Sequence, residues 1–191
     1  MARLPYPDLK DLSPENRELM ASLPPLNVFR MMSGAGTSFA PFMQFISAYL
    51  NEGVLDPELR ELVILRVGHL CGSAYEVHQH ERVSRTLGMS EARIQAVKDK
   101  LPNDLLSDAE NAALLFTDEQ VAQVKVSDTT FTATHKHLTD PQLVELTIIV
   151  GTYLMVCRFL ETLEIELEET DIDGSGLEEI EASVKSLNGG E

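Results

Sequence analysis

The sequence has few basic residues and few cysteines. Lys and Arg number 15 against 31 Asp and Glu in 191 residues, a formal net charge of −16 at pH 7. Because a nucleic-acid interface needs Lys and Arg to pair with phosphates, this balance argues against a nucleic-acid partner. Two cysteines, Cys71 and Cys157, do not make the disulfide framework of a small secreted domain. We therefore expect a reducing, cytoplasmic environment.

Long, strongly apolar runs are also missing. The apolar stretch between Glu145 and Arg158 is about a dozen residues, whereas a bilayer-spanning helix needs roughly 20 apolar residues. No basic segment leading into an apolar run follows Met1, so a secretory signal is not expected. We expect no membrane partner and interpret the stretch as a core helix. Hydrophobic residues make up 43% of the chain, which is enough for a buried core.

Glycine and proline divide the chain into helical segments, and the alternation typical of strands is absent. Helix start signals, in which a capping side chain precedes Pro or an acid, occur at Ser13-Pro14-Glu15, Asp56-Pro57-Glu58, Ser107-Asp108-Ala109-Glu110 and Thr139-Asp140-Pro141-Gln142. Residues 26–50 are expected to form two short helices, with breaks at Ser33-Gly34-Ala35-Gly36 and at Pro41. The pattern predicts an all-α, single-domain bundle of about seven or eight helices.

The composition changes along the chain and suggests three parts. Residues 1–25 are an extended segment with a short helix, residues 26–168 a helical domain, and residues 169–191 an acidic flexible tail. Within the tail, residues 171–176 imitate the start of a calcium loop. Ala182 stands where such a loop requires a bidentate Glu. We therefore favour a disordered tail over a weak cation site.

The residues best suited to chemistry lie between Glu61 and His80. Glu76 and His80 are four residues apart, so on one helix they lie about 40° apart and share a face. A carboxylate beside an imidazole favours the charged ring and orients it, which is one way to build a general acid or base. The same spacing is also frequent on solvated helices, where a pair contributes only a few tenths of a kcal/mol.

Glu61 joins this pair only if the chain turns back. On a straight helix it would lie about 22 Å from Glu76 along the axis. Gly68 and Gly72 allow a bend instead, and two antiparallel helices would then bring Glu61 opposite Glu76 and His80. Two acids and a histidine that converge in an apolar wall form a proton-transfer site.

Two short segments carry a family resemblance. Residues 60–67 are Arg-Glu-Leu-Val-Ile-Leu-Arg-Val, and residues 75–80 are Tyr-Glu-Val-His-Gln-His. They resemble the carboxymuconolactone decarboxylase family, which includes the alkylhydroperoxidase-D-like proteins. Decarboxylase-like members have Tyr-Glu-Trp-x-x-His after an R-E-L-x-I-L-R-V helix, so this chain departs from the motif at Val77. The resemblance covers about residues 26 to 165 and implies an alkylhydroperoxidase-D-like fold that assembles into trimers or hexamers.

The resemblance also shows where cysteines would be expected. Peroxidase-type members use Cys-x-x-Cys-x-x-x-His with an acid twelve residues before the first cysteine. Aligned on His80, this chain has Ser73 and Glu76 in the two cysteine places and keeps the acid as Glu61. Cys71 is out of register by two residues, about 200° around a helix. Because Cys157 lies on a different helix, we do not expect a dithiol that reduces hydroperoxides.

What the resemblance implies is the decarboxylase-like branch. The chain would be a lyase or isomerase that acts on a small organic acid or lactone and needs neither cofactor nor metal. His80 would donate and accept the proton, with Glu76 and Glu61 tuning or sharing it. The alternatives are a non-catalytic oligomeric binding protein and, less favoured, a hydroperoxide-reducing peroxidase.

Three further residues are candidates for substrate binding: Arg66, Tyr75 and Ser73. Arg66 is the candidate cation for an anionic substrate, and the alternative is a solvated or ion-paired Arg66. Tyr75 is placed to donate a hydrogen bond to a developing oxyanion, and the alternative is a half-buried packing residue. Ser73 is included because it occupies a cysteine place of the peroxidase-type motif.

Overall fold

The computed structural model describes residues 1–168, which fold into helices and turns without a strand. The α-helices are α1 (Pro14–Ser22), α2 (Asn27–Met32), α3 (Phe39–Glu52), α4 (Pro57–Cys71), α5 (Ala74–Thr86), α6 (Glu91–Ala96), α7 (Asp108–Gln123), α8 (Asp128–His135) and α9 (Asp140–Leu163). Short 3-10 segments cover Leu9–Asp11 and Ser33–Ser38. The predicted all-α class is confirmed. The predicted tail, with its calcium-loop-like segment, lies outside the described residues.

The described chain forms two compact units. Of the described residues, one unit contains residues 1–53 and 163–168, and the other contains residues 54–162. The helix α1 packs against α3 within the first unit, and the boundary expected after residue 25 stays a prediction. All of the predicted site residues belong to the second unit.

Local capping chemistry explains where the helices begin. At the start of α4, Asp56 Oδ1 accepts a hydrogen bond from the Leu59 N–H at 3.0 Å, and Pro57 occupies the first helical position. The predicted break between α2 and α3 is present as the 3-10 segment Ser33–Ser38. The predicted break at Pro41 was wrong. Pro41 lies in the first turn of α3, where a missing N–H costs no helical hydrogen bond.

The helices α4 and α5 form the predicted hairpin. Between them Gly72 has φ +67° and ψ 24°, the left-handed conformation that favours glycine because it has no Cβ. The Ser73 N–H donates to the Gly68 carbonyl at 2.9 Å and closes the turn. The bend reverses the chain direction, so residues early in α4 face residues late in α5.

Gly68 allows the two helices of the hairpin to approach closely. A Cβ at this position would lie 3.0 Å from Val77 Cγ2 and 3.5 Å from Glu76 Cβ. The first distance is shorter than ordinary van der Waals contact between carbon atoms. The missing side chain therefore sets the spacing between α4 and α5 beside Glu76.

The helix α9 is the one part of residues 1–168 that is long and apolar enough to cross a membrane. Of its apolar window, 50% is buried inside the protein, and the core helix of a folded domain passes the same test. Its buried side chains recur at intervals of three and four residues, as predicted, and include Leu146, Ile149, Tyr153, Cys157 and Leu160.

Candidate active site

Glu61 and His80 are joined across the hairpin. Glu61 has no exposed surface (0%), and its Oε2 lies 2.6 Å from His80 Nδ1. Its Oε1 accepts a hydrogen bond from Arg60 Nε at 3.3 Å. A carboxylate removed from water needs such partners to offset the loss of hydration. The structure thus brings Glu61 and His80 together, as the hairpin argument predicted.

Glu76 contacts the opposite side of the same ring. Its Oε1 lies 3.1 Å from His80 Nε2, and the residue is buried. This oxygen has no hydrogen bond of good geometry. Its contact with His80 is therefore an ion pair in which the ring N–H does not point at the oxygen. The arrangement leaves a buried carboxylate oxygen whose capacity to accept a hydrogen bond is unused.

Burial and the two carboxylates act in opposite directions on the pKa of His80. Burial, the largest single influence, lowers the pKa because it disfavours the charged ring. The negative charges of Glu61 and Glu76, together with the hydrogen bond to Glu61, outweigh it and raise the pKa from 6.5 to about 10. At neutral pH the ring is therefore an imidazolium, with a proton on each nitrogen.

Tyr153 of α9 packs against the His80 ring. The two ring centroids are 5.0 Å apart and the planes meet at 88°, an edge-to-face contact. The sequence analysis did not name Tyr153 as a site residue. In the sequence, Tyr153 is recognisable as a residue on the apolar face of α9. No local pattern indicates that this face packs against the α4–α5 hairpin.

Ser73 and Tyr75, both predicted to bind substrate, lie at the start of α5. Ser73 has 0% exposure and occupies the N-cap position, yet its hydroxyl does not cap the helix. An N-cap serine ordinarily accepts a hydrogen bond from the first turn. Here Oγ is buried and has no hydrogen-bond partner of good geometry. Tyr75, which precedes Glu76 in the sequence, is also buried.

Arg66 is directed away from this cluster. Its Nε and Nη2 donate to the two carboxylate oxygens of Asp118 at 2.6 and 2.7 Å. Its Nη1 donates to the carbonyls of Val97 and Asp99 at 2.5 and 3.0 Å. This bidentate pair is the ion-paired alternative of the sequence analysis. The geometry therefore favours a structural role for Arg66 over the predicted binding of an anionic substrate.

The two cysteines lie on different helices. Cys71 is the last residue of α4, and Cys157 is on the buried face of α9. Both are free thiols, with Cys71 partly exposed and Cys157 buried. Burial raises the pKa of each thiol. The sequence expectation that these cysteines do not form a hydroperoxide-reducing dithiol stays a prediction.

Potential metal ligands are scattered over the described part of the chain. Residues 1–168 contain no group of three or more His, Cys, Asp or Glu side chains placed to hold a metal ion. The carboxylates of Glu61 and Glu76 are directed at the two nitrogens of His80. The cluster is thus arranged to hold protons.

Comparison with known proteins agrees with this architecture. Residues 37–119 match the model of the carboxymuconolactone decarboxylase family. The uncharacterised protein YdfG of Bacillus subtilis (strain 168) is 26% identical over 111 residues, which are 57% of this chain and 76% of YdfG.

Two solved structures share the fold. One is the alkylhydroperoxidase AhpD core of a peroxidase-related protein from Ralstonia eutropha JMP134, with a TM-score of 0.76 and 21% identity over 88% of this chain and 93% of that one. The other is a variant of the debrominase Bmp8 in complex with 2,3,4-tribromopyrrole, with a TM-score of 0.65 and 15% identity over 98% of this chain and 100% of that one. At these identities the likeness concerns the fold alone.

Proposed function

We propose that this chain catalyses cofactor-independent acid–base chemistry, and the match of residues 37–119 to the carboxymuconolactone decarboxylase family supports the proposal. The reaction is that of a lyase or isomerase acting on a small organic acid or lactone. The observation that carries the proposal is the buried His80 imidazolium between Glu61 and Glu76. Such strongly shifted pKa values are concentrated at functional sites.

His80 is the proton donor in this proposal. When a carboxylated lactone loses carbon dioxide, the carbon–carbon bond breaks and its electron pair remains on the substrate as an enolate. The Nε2–H of His80 gives its proton to the enolate carbon, and the neutral ring then regains a proton from water. A donor with a pKa of about 10 is fully protonated again at neutral pH before the next turnover.

The two acids have different roles because their surroundings differ. Glu61 is fully buried and holds Nδ1–H at 2.6 Å, so it orients the ring and stabilises its charge. Glu76 lies at Nε2, where the proton leaves, and its oxygen has no aligned hydrogen bond. It is therefore placed to share the proton between the ring and the substrate.

Ser73 and Tyr75 are proposed to bind the substrate. The buried Ser73 hydroxyl has no aligned partner, and a preorganised donor of this kind stabilises the oxyanion of an enolate. Tyr75 flanks Glu76 on the first turn of α5. In this proposal, side chains around these groups set the substrate specificity. One of them is Val77, which stands where the family motif has Trp.

The two alternative functions have less support. A non-catalytic binding protein would be favoured if Glu61, Glu76 and His80 were exposed and separated. Instead, both acids are buried, the His80 side chain is 15% exposed, and the three are in contact. A hydroperoxide-reducing peroxidase needs a thiolate as the attacking species. The raised pKa values of Cys71 and Cys157 oppose thiolate formation.

We also propose that the chain forms a homo-oligomer, with the trimers or hexamers that the family resemblance suggests. Val144, Ile148 and Met155 on α9 are 60%, 42% and 42% exposed. Their spacing places them within about 40° of one another around the helix. An exposed apolar stripe of this kind is typical of an interface. We expect light scattering to give a multiple of the chain mass, and a monomer at micromolar concentration would contradict the proposal.

The substitution His80→Ala tests the acid–base function. We expect it to lower the rate of turnover roughly 10²- to 10⁴-fold, the contribution of a positioned general acid. The half-buried His78 lies on the same helix outside the cluster, so His78→Ala is the matched control and should keep the wild-type rate. The measurements are carbon dioxide release from a panel of carboxylated lactones and incorporation of deuterium from heavy water into the products.

Two outcomes would count against this function. Equal rates for His80→Ala and the wild type, with circular dichroism showing that both are folded, would remove His80 from the chemistry. A wild-type protein that binds members of the panel without turnover would instead favour the non-catalytic alternative.

A further inference from the structure

The exposed face of α9 carries an apolar stripe. Val144, Ile148 and Met155 are 60%, 42% and 42% exposed, and the exposed Gly151 lies between them. These four residues, the α9 stripe, are followed on the same face by the exposed Arg158. The five positions are four, three, four and three residues apart, so they lie within about 80° of one another around the helix. The same alternation places residues along the seam where two helices pack in a coiled coil.

Gly151 has no packing role that residues 1–168 explain. A glycine in the middle of a helix is destabilising relative to alanine. At Gly68 the close approach of α5 accounts for the missing side chain, because an added Cβ would lie 3.0 Å from Val77 Cγ2. At Gly151 an added Cβ would meet no atom within 4 Å among the described residues outside its own stretch of helix. The missing side chain instead leaves room for a helix of another molecule to approach α9.

We propose that the α9 stripe binds the α9 stripe of a second copy of this chain, with the two helices antiparallel and a two-fold axis at Gly151. In such a contact both copies present the same surface, and the residue on the axis meets itself. Glycine at this residue allows the two helices to lie close together. The inference rests on the homo-oligomer proposed above and is independent of the acid–base chemistry.

The charged residues beside the stripe favour the antiparallel arrangement. Arg158 lies about 10.5 Å from Gly151 along α9, and Glu145 lies about 9 Å from it in the other direction. In an antiparallel pair, Arg158 of each copy is therefore level with Glu145 of the other copy to within about 1.5 Å. A parallel pair would place like charges side by side, which is unfavourable. The charges thus complement each other at both ends of the antiparallel contact.

Glu145 is held in place for this ion pair. Its Oε2 accepts a hydrogen bond from the Val54 N–H at 2.8 Å, and its Oε1 accepts one from the Leu55 N–H at 2.9 Å. A carboxylate has about four lone-pair sites, so both oxygens can also accept from a guanidinium group. Because the Glu145 side chain is already ordered, it loses little conformational entropy when it binds Arg158 of a second copy.

The substitution Gly151→Glu tests the contact. The new side chain has space within its own chain, so the chain should remain folded, whereas two carboxylates would meet at the axis. Ala133→Glu on the exposed face of α8 is the matched control. We expect sedimentation equilibrium to give an even number of chains for the wild type and the control, and half that mass for Gly151→Glu. Circular dichroism checks that each variant is folded.

A cross-linking experiment tests the axis without disrupting the contact. In Gly151→Cys, two thiols would face each other across the axis, and a short bis-maleimide should join most chains in pairs. A digest should then contain linked peptides with residue 151 in both members. The wild type and Ala133→Cys, treated in the same way, measure links through other cysteines.

Reversing the charge of Arg158 tests the orientation of the helices. Arg158→Glu places acids opposite Glu145 at both ends of the contact and should raise the dissociation constant at least about tenfold at low salt. Lys125→Glu makes the same change in net charge in the exposed turn after α7. This control should change the dissociation constant less than about twofold.

Several results would overturn the proposal. A wild-type mass of one or three chains would exclude a two-fold contact, and a single chain would also remove the homo-oligomer from the proposed function. An unchanged assembly in Gly151→Glu, or no linked pair at residue 151 in Gly151→Cys, would place the oligomer contact on another surface. Equal dissociation constants for Arg158→Glu and Lys125→Glu would exclude the antiparallel ion pairs. None of these readouts measures turnover, so the acid–base function keeps its own test.

Discussion

Between pH 7 and pH 8.5, the free energy of unfolding of the wild-type protein is expected to fall by about 2 kcal/mol. The pKa of His80 is 6.5 as a free side chain and about 10 in the folded protein. Within this window the folded state keeps a proton that the unfolded state loses, so stability declines by about 1.4 kcal/mol per pH unit. The stabilisation is complete below pH 6.5 and is lost as the pH approaches 10, a total of about 5 kcal/mol.

Urea denaturation at a series of pH values measures this slope. The amino group of Met1 also titrates here, because Glu166 raises its pKa, so matched variants are needed. His78→Gln keeps the cluster and should keep the slope. The double variant Glu61→Gln/His80→Gln removes the imidazolium with one of its carboxylates, and its slope should be much flatter. A wild-type stability independent of pH from 7 to 8.5 would contradict the charged state assigned to His80.

The second large effect is expected for Glu61→Gln, which should lower the free energy of unfolding at pH 7 by about 3 kcal/mol. The substitution keeps the shape of the side chain and removes its charge. The buried imidazolium of His80 then loses its closest counter-charge, which lies at 2.6 Å, and the neighbouring Arg60 loses one as well. The pKa of His80 should fall for the same reason, which proton NMR of the ring measures.

The control for this prediction is Glu91→Gln on the surface. Glu91 pairs with Arg85 at 3.0 Å, and its side chain is 58% exposed, so water replaces the lost contact. We expect Glu91→Gln to leave the unfolding midpoint close to that of the wild type. Equally small losses for the two variants would mean that the Glu61–His80 pair contributes little to stability.

The α4–α5 hairpin and its cluster of Glu61, Glu76 and His80 were predictable because they depend on local features. Gly72 stands where a helix end needs a left-handed residue, and Asp56 begins the helix that carries Glu61. The spacing of Glu76 and His80 then follows from helix geometry. The family resemblance pointed to the same residues, so two independent arguments agreed on this part of the chain.

The rest of the site depends on packing between distant segments. Arg66 was a candidate for binding an anion until Asp118, far along the chain, was found to hold both sides of its guanidinium group. Tyr153 and Cys157 belong to α9, and their periodicity predicts only that they are buried. Nothing in that periodicity indicates which helix they meet, so the Tyr153–His80 contact required the three-dimensional structure.

The way in which His80 is held has a stereochemical consequence. Turning the ring over about its Cβ–Cγ bond would place carbon atoms where the two nitrogens lie and break the contacts with both Glu61 and Glu76, while Tyr153 lies against the ring. The two nitrogens therefore stay in different environments. Nδ1 faces the fully buried Glu61, and Nε2 faces Glu76. In the proposed reaction, a proton delivered from Nε2 would reach a planar carbanion from one face, so we expect the product to be a single enantiomer.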